Sequence, residues 1–262
     1  MVKITDIRGV DIDFDSPPHR IVSLVPSLTE TVIDLGCRDS LVGITRYCLE
    51  IDGTDGIAVI GGVMDPDIDK IRELEPDLVL TGREENQPED VGEIEGFSRV
   101  HVCQPGTVAD VIGLLTDYGK LFGKVDESND WCERIINAQV RLRILRESKK
   151  KIRYSYIVWW NPLYLAGGGG YISNLLGEGP FENVFEEVER YPVINEEVLY
   201  SKYQDVIFAS SEPYSFSEEI LSKIEEESGR SVMEIDGRKC GWYGTGTLKG
   251  LEYLLNFAEK FC

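Results

Sequence analysis

Histidine is nearly absent: His19 and His101 are the only two in 262 residues, and they lie far apart in the chain. There is no Cys-x-x-Cys pair and no His-Glu-x-x-His motif. A dedicated zinc cage built from clustered imidazoles and thiolates is therefore not expected. The Gly-x-Ser-x-Gly elbow and the P-loop lysine motif are also missing, which removes the common hydrolase and nucleotide-binding signatures. Basic residues are scarce, 27 against 47 acidic, for a formal net charge of −20. A field of that sign repels phosphate backbones and anionic lipid, so a nucleic-acid partner is disfavoured. No apolar run approaches the ~20 residues needed to span a bilayer, so the chain is not expected to be membrane-embedded. The first residues, Met1 to Asp6, enter strand-like sequence without a basic region, an apolar core or a small-residue cleavage site. As it stands the sequence predicts a cytoplasmic protein, with a periplasmic or cell-surface location the alternative if a leader has been removed.

Cysteine is present but unpatterned, at 37, 48, 103, 132, 240 and 262. A chain of this length needs no disulfide scaffold. The scattered thiols read mostly as small buried hydrophobes with a few free at the surface, and they suit a reducing compartment.

What is there is an alternation of strands and helices. Residues 4–14 suggest a short hairpin around Gly9, ended by Pro17-Pro18. Arg20 to Val25 reads as a buried parallel strand, followed by a helix from Glu30 to Leu35 that Ser27 or Thr29 caps. Strands at 41–44 and 78–80 and helices at 68–74 and 108–122 continue the pattern, which implies βαβ units and a parallel sheet. Residues 128–148 predict one long helix, capped by Ser128 or Asn129. One apolar stripe is Trp131, Ile135, Ala138, Leu142 and Leu145; a second is Ile136, Val140 and Ile144. Two apolar faces suit a helix wedged between two lobes. The pattern then restarts, with a strand at 152–160, a helix at 171–176 and a strand at 205–208. Glu75-Pro-Asp-Leu-Val-Leu80 and Tyr203-Gln-Asp-Val-Ile-Phe208 look like a loose internal duplication. The division expected is an N-terminal α/β lobe over 1–125, a connecting helix over 126–150 and a C-terminal α/β lobe over 151–262. Together these are two Rossmann-like lobes joined by a rigid helix, with a ligand cleft between them.

Aromatic residues gather at predicted strand ends: Tyr47, Trp159, Trp160, Tyr164, Tyr214, Phe216, Trp242 and Tyr243. Ligands of open α/β sheets bind outside the carboxyl ends of the strands, and aromatics there suit a large planar or macrocyclic ligand. Arg46, Arg83, Glu84 and Glu212 share those loops and would meet its polar groups. Each of these residues has a plainer reading, as the edge of a core or as a solvated loop charge. The glycine run Gly167–Gly170 reads as a turn that lets a ligand or the opposite lobe approach closely.

An ordered set of motifs resembles a known family. Pro18-His-Arg-Ile-Val-Ser-Leu-Val-Pro-Ser-Leu-Thr-Glu30, Gly61-Gly62, Met64-Asp-Pro66 and Glu75-Pro-Asp-Leu-Val-Leu80 come first. Trp160-Asn-Pro-Leu-Tyr164, Glu182-Asn-Val-Phe185, Arg190-Tyr-Pro192 and Ser211-Glu-Pro-Tyr214 follow. They resemble the helical-backbone metal receptors, the class III solute receptors for corrinoids, haem and iron chelates, in a branch without an export signal. The resemblance implies a non-catalytic, monomeric binding protein for cobalamin or another metal chelate, with no cofactor of its own. It implies Tyr47, Trp160, Tyr164 and Trp242 as ligand contacts. An ABC permease is the implied protein partner, docked through one acid on each lobe, and Asp69 and Glu196 match by position. Two rival readings remain. One is an intracellular enzyme or cofactor chaperone using Cys48 beside Arg46, whose charge would lower the thiol pKa. The other is a pure protein-interaction module marked by an exposed apolar patch.

Overall fold

The computed structural model describes residues 2–261, which divide into two compact units. The first comprises residues up to Pro105, Ala109–Glu133 and Tyr243–Gly246; the second comprises Gly106–Val108, Arg134–Trp242 and the residues from Thr247 onward.

The first unit begins with a hairpin, β1 (Val2–Thr5) paired antiparallel with β2 (Asp11–Phe14). It turns at Gly9, whose φ of 79° is the left-handed conformation that glycine adopts without a Cβ penalty. Its main sheet holds β3 (Ile21–Ser23), β4 (Leu41–Ile44), β5 (Ala58–Val59), β6 (Leu78–Gly82) and β7 (Arg99–Cys103). All neighbours are parallel, in the order β5-β4-β3-β6-β7. Helices α1 (Pro26–Asp34), α2 (Ile68–Glu73) and α3 (Pro88–Glu95) supply crossovers, and α4 (Val108–Leu121) follows the last strand. Val22, Leu24, Ile60, Ile71, Val79, Ile94, Val100 and Val102 form a core cluster. Strands that are apolar throughout need helices on both faces, which explains the unbroken runs in β3 and β6.

Two expected caps are corrected. Helix α1 begins at Pro26, so Ser27 and Thr29 lie inside it, and the cap position falls to Val25, whose side chain makes no hydrogen bond. Proline at the first turn has no amide to satisfy, which lowers the demand for a cap. Helix α5 runs Val125–Ser148, which places Ser128 and Asn129 inside it as well. The Ser128 hydroxyl instead donates to the Leu115 carbonyl at 2.6 Å, tying α5 to α4. Gly119 allows that approach, since a Cβ there would lie 2.5 Å from the Cβ of Ser128. The expectation of two buried stripes on α5 also fails. Ile135, Ala138 and Leu142 are buried, but Ile136, Val140 and Ile144 face solvent, because the protein covers only one side of the helix.

In the second unit β8 (Ile152–Trp159) lies between β9 (Leu163–Leu165) and β12 (Val206–Ser210), with β10 (Phe181–Asn183) also paired to it. β11 (Val193–Ile194) and β13 (Ser231–Ile235) complete the sheet. β8, β10, β12 and β13 pair in parallel, whereas β9 and β11 are antiparallel. Helices α6 (Tyr171–Gly177), α7 (Glu196–Ser201), α8 (Glu218–Ser228), α9 (Gly237–Gly241) and α10 (Gly246–Phe261) accompany it. Asn195, Ser217 and Asp236 cap α7, α8 and α9 through their side chains.

The two units share one local device. The carboxylate of Asp77, just before β6, accepts from the amides of His19 at 2.8 Å and Arg20 at 3.0 Å, just before β3. The amide of Asp77 donates back to the Arg20 carbonyl at 2.9 Å. In the second unit the carboxylate of Asp205 accepts from the Arg153 amide at 2.8 Å, and the Asp205 amide returns a bond to the Arg153 carbonyl at 2.8 Å. Each aspartate fixes the register of the two central strands, where a one-residue slip would turn every side chain to the wrong face.

The glycine run departs from its expected role. A Cβ at Gly167 would lie 2.0 Å from the Val188 carbonyl oxygen, and one at Gly168 would lie 1.9 Å from that of Glu186. The close approach is made by the chain's own 186–190 segment, tied to the run by Gly167–Arg190 and Gly168–Val188 backbone hydrogen bonds.

Candidate ligand-binding site

In the first unit parallel pairing brings all five carboxyl ends to one edge. The strand order reverses at β3, between β4 and β6. Such a switch point leaves a crevice, because the loops on either side depart in opposite directions. Arg46 and Tyr47, in a short helical turn after β4, flank it on one side; Arg83 and Glu84, after β6, flank it on the other. Tyr47 is 56% exposed. The Arg46 guanidinium pairs with Asp65 at 2.8 Å and lies 6.0 Å from the Tyr47 ring. The Asp65 carboxylate, by hydrogen bond and charge, holds the Arg46 pKa above its ordinary value. Gly62 makes room for this pair, since a Cβ there would meet Asp65 Oδ1 at 2.1 Å and Arg46 at 3.1 Å. Glu84 accepts from Gln104 Nε2 at 3.1 Å.

Beneath these exposed groups lies a layer formed by Glu85, Asn86 and Tyr243. Asn86 is buried; its Oδ1 accepts from the Gly82 amide at 2.9 Å and its Nδ2 donates to the Val63 carbonyl at 2.9 Å. It thus joins the loops after β5 and β6. Tyr243, expected to touch a ligand, is buried instead. Its hydroxyl donates to Glu85 and accepts from the Cys103 thiol at 3.6 Å. Burial, and then the neighbouring Glu84 charge, push the Glu85 carboxyl from 4.5 up to about 7, against the Tyr243 hydrogen bond. The signal for this layer was faint in the sequence: an acid beside another acid at a strand end, and a tyrosine among glycines.

Cys48 is not an activated thiol. It is buried, 3.2 Å from both Thr29 Oγ1 and Thr45 Oγ1, and burial raises its pKa despite those hydroxyls. The lowering expected from Arg46 is absent because that guanidinium turns to Asp65.

The second unit gathers most of the aromatics. β8, β12 and β13 are parallel, so Trp159-Trp160, Glu212 to Tyr214 and Arg238 to Trp242 emerge at the same edge. Tyr164 joins them because antiparallel pairing sets it opposite Trp159. Trp159 is 38% and Tyr164 37% exposed. The Trp159 ring meets Tyr214 edge-on at 5.0 Å, and Tyr214 meets Phe216 at 4.8 Å. Arg238 lies 4.6 Å from the Trp242 ring and 3.5 Å from a Glu212 oxygen. Trp160 faces a pocket of about 640 Å³ together with Asn161, Leu163, Ile194, Glu196 and Lys223. Trp160 and Tyr214 also pack on the core of this unit, so each has one face in and one face out.

Of the two acids expected to dock a partner, Asp69 lies near the start of α2, mostly exposed, and pairs with Arg72 at 2.8 Å. Glu196 opens α7 and pairs with Lys223 at 3.1 Å.

Comparison with known proteins adds the family. The family model described as periplasmic binding protein matches residues 21–231. A vitamin B12-binding protein of Vibrio cholerae is 28% identical over 209 residues, 74% of this chain and 71% of that protein. Among solved structures, the periplasmic vitamin B12 binding protein of Vibrio cholerae matches with a TM-score of 0.78 at 20% identity, covering 93% of this chain and 99% of that one. The apo form of a periplasmic haem-binding protein from Roseiflexus sp. RS-1 matches with a TM-score of 0.79 at 16% identity, covering 94% and 98%. At those identities the structural likeness establishes a shared fold.

Proposed function

The chain belongs to the periplasmic binding protein family, and from that premise we propose that it binds a corrinoid or a related metal chelate without catalysis, as the solute-carrying partner of an ABC permease. The observation that carries this reading is the set of aromatic faces at the carboxyl ends of the second sheet. Trp159 and Tyr164 expose ring surface, Tyr214 packs edge-on to Trp159, and Arg238 lies over the Trp242 ring. Rings rooted in a core present broad apolar area at little entropic cost, which suits a rigid macrocycle. In the first unit Arg46, Tyr47, Arg83 and Glu84 add donors and acceptors that suit the amide or carboxylate arms of such a ligand. The vitamin B12-binding and haem-binding relatives support the same ligand class. A non-catalytic role accords with the Cys48 thiol being buried and raised.

Calorimetric titration of ligand-stripped protein with cyanocobalamin, repeated with haemin, tests the reading. The expected result is one-to-one binding that Trp160→Ala and Trp242→Ala each weaken at least about tenfold, the loss of about 1.4 kcal/mol. Absence of heat with both ligands and with ferric siderophores overturns it. The transport role has its own test. Asp69→Ala should leave ligand affinity unchanged while abolishing stimulation of the permease ATPase, and Glu196→Ala should abolish it even at saturating ligand; an unaffected ATPase would refute that docking.

A further inference from the structure

Three residues at the amino ends of the second sheet form a cluster that the binding function does not use. Arg153 lies at the start of β8, Tyr203 shortly before β12 and Arg230 just before β13. The strands are parallel neighbours in the order β8-β12-β13, so the tyrosine approaches between the two arginines. Its side chain is exposed, at 59% for the residue. The Arg153 guanidinium lies 5.1 Å from the centre of the Tyr203 ring and that of Arg230 lies 4.9 Å from it. The two guanidinium carbons are therefore within about 10 Å of each other.

Stacking uses the flat face of a guanidinium and leaves the N–H donors in its plane available. Among the described residues neither side chain makes a hydrogen bond or an ion pair, although the chain holds 47 acids against 27 bases. The acids nearest in register are engaged elsewhere. Asp205 accepts from the Arg153 amide, and Glu182, opposite Arg153 in β10, reaches Lys151 at 3.9 Å. The first unit supplies the contrast. There Arg20 stands beside the matching aspartate clamp, and its guanidinium donates to the carbonyls of Leu74 at 3.0 Å and Glu75 at 3.1 Å. Tyr203 precedes Asp205 by two residues as Glu75 precedes Asp77, so in the second unit a ring face supports the arginine where carbonyls do in the first.

We infer that Arg153 and Arg230 form a binding site for a phosphate-class oxyanion, free or carried on a lipid headgroup, with the Tyr203 ring holding both forks in place. Two like charges side by side repel, and an anion between them removes the repulsion while it accepts charge-assisted hydrogen bonds. A tetrahedral oxyanion has oxygens enough to meet both forks, whereas the two oxygens of a carboxylate are filled by one. The Tyr203 hydroxyl, which also has no hydrogen-bond partner among the described residues, adds a donor at the rim of the same ring. The net charge of −20 opposes an anion at long range. At physiological ionic strength the screening length is about 8 Å, so the two nearest cations outweigh that field.

Nitrogen-15 NMR of the arginine Nε–H groups on the full chain tests this, with inorganic phosphate titrated against NaCl at equal ionic strength. The Arg153 and Arg230 signals should shift together and saturate in the millimolar range, the affinity that a few charge-assisted contacts provide. Arg153→Gln and Arg230→Gln should each weaken binding at least about tenfold, and Tyr203→Leu, which keeps both charges, should weaken it several-fold by freeing the forks. These are surface positions, so the variants should keep the wild-type circular dichroism spectrum; the wild-type titration decides by itself if one does not. Co-sedimentation with phosphatidylglycerol vesicles but not phosphatidylcholine vesicles, lost in Arg153→Gln, assigns the anion to a lipid headgroup. Saturation by phosphate without vesicle binding assigns it to the free ion. Shifts that never saturate, or saturation that neither glutamine variant weakens, overturn the inference.

Discussion

Replacing Glu85 by glutamine removes a proton that the folded chain holds more tightly than the unfolded one. In the folded protein burial raises this carboxyl from 4.5 to about 7. That interval corresponds to a ceiling of about 3 kcal/mol. Glu85 is only half-buried by surface, and solvent relieves part of the penalty, so about 2 kcal/mol is the expected size. The sign follows from proton counting. Between pH 4.5 and about 7 the native state binds more protons than the unfolded state, so stability falls as pH rises through that window and stays low above it. Glutamine mimics the protonated acid and accepts from Tyr243 without ever charging. The advantage of the variant should therefore grow from under about 1 kcal/mol at pH 5 to about 2 kcal/mol at pH 8. His101 acts in the opposite sense, because burial lowers it from 6.5 to about 4 and its contribution grows as pH rises between those values. It is common to both proteins and cancels in the difference. Urea unfolding at five pH values from 5 to 9 measures that difference. A gap that does not change with pH, or one larger at pH 5 than at pH 8, refutes the reasoning.

Asp77→Ala and Asp205→Ala should each cost about 1–2 kcal/mol, the worth of charge-assisted bonds at a partly exposed site, read as a shift in urea midpoint with no loss of secondary structure. Gly168→Ala should cost about 2–4 kcal/mol, since its Cβ would fall 1.9 Å from a carbonyl oxygen; a melting midpoint within error of wild type would contradict the packing described. Cys48, Cys103, Cys132 and Cys240 are buried and burial raises each thiol. Iodoacetamide at pH 8 should leave them unlabelled in native protein over a time that labels them fully in urea, as read by peptide mass spectrometry.

The central strands of both sheets were legible because they are apolar on both faces: Ile21–Ser23, Leu78–Gly82 and Val206–Ser210 stand out from their surroundings. The outer strands were not. β7 alternates as Arg-Val-His-Val-Cys, and β13 reads Ser-Val-Met-Glu-Ile with most residues partly exposed. Both end their sheets, and a short polar alternation resembles a loop; β7 is nevertheless buried from Val100 to Cys103, because the turn of the N-terminal hairpin bonds along its outer edge. Helix α8 is too acidic to announce an apolar face: Ile224 is its only buried residue. Among site residues, type and position at strand ends were readable, but orientation was not. Tyr243 and Tyr214 look alike in sequence, and only the packing of residues 243–246 within the first unit separates the buried ring from the half-exposed one. The cap errors at Thr29 and Ser128 share a cause, because a hydroxyl near a helix start has an alternative once another backbone carbonyl comes within reach: that of Val25 for Thr29 and that of Leu115 for Ser128.

The paired aspartate clamps also bear on how the chain folds. The Arg20–Asp77 contact joins residues 57 apart and the Arg153–Asp205 contact joins residues 52 apart. Loop-closure entropy grows only with the logarithm of that span, so the two closures differ by about 0.1 kcal/mol. Neither unit therefore has a topological head start over the other in bringing its central strands together. Any order in their folding must come from local terms, such as how readily α1 and α2 form between the first pair of strands against α6 and α7 between the second.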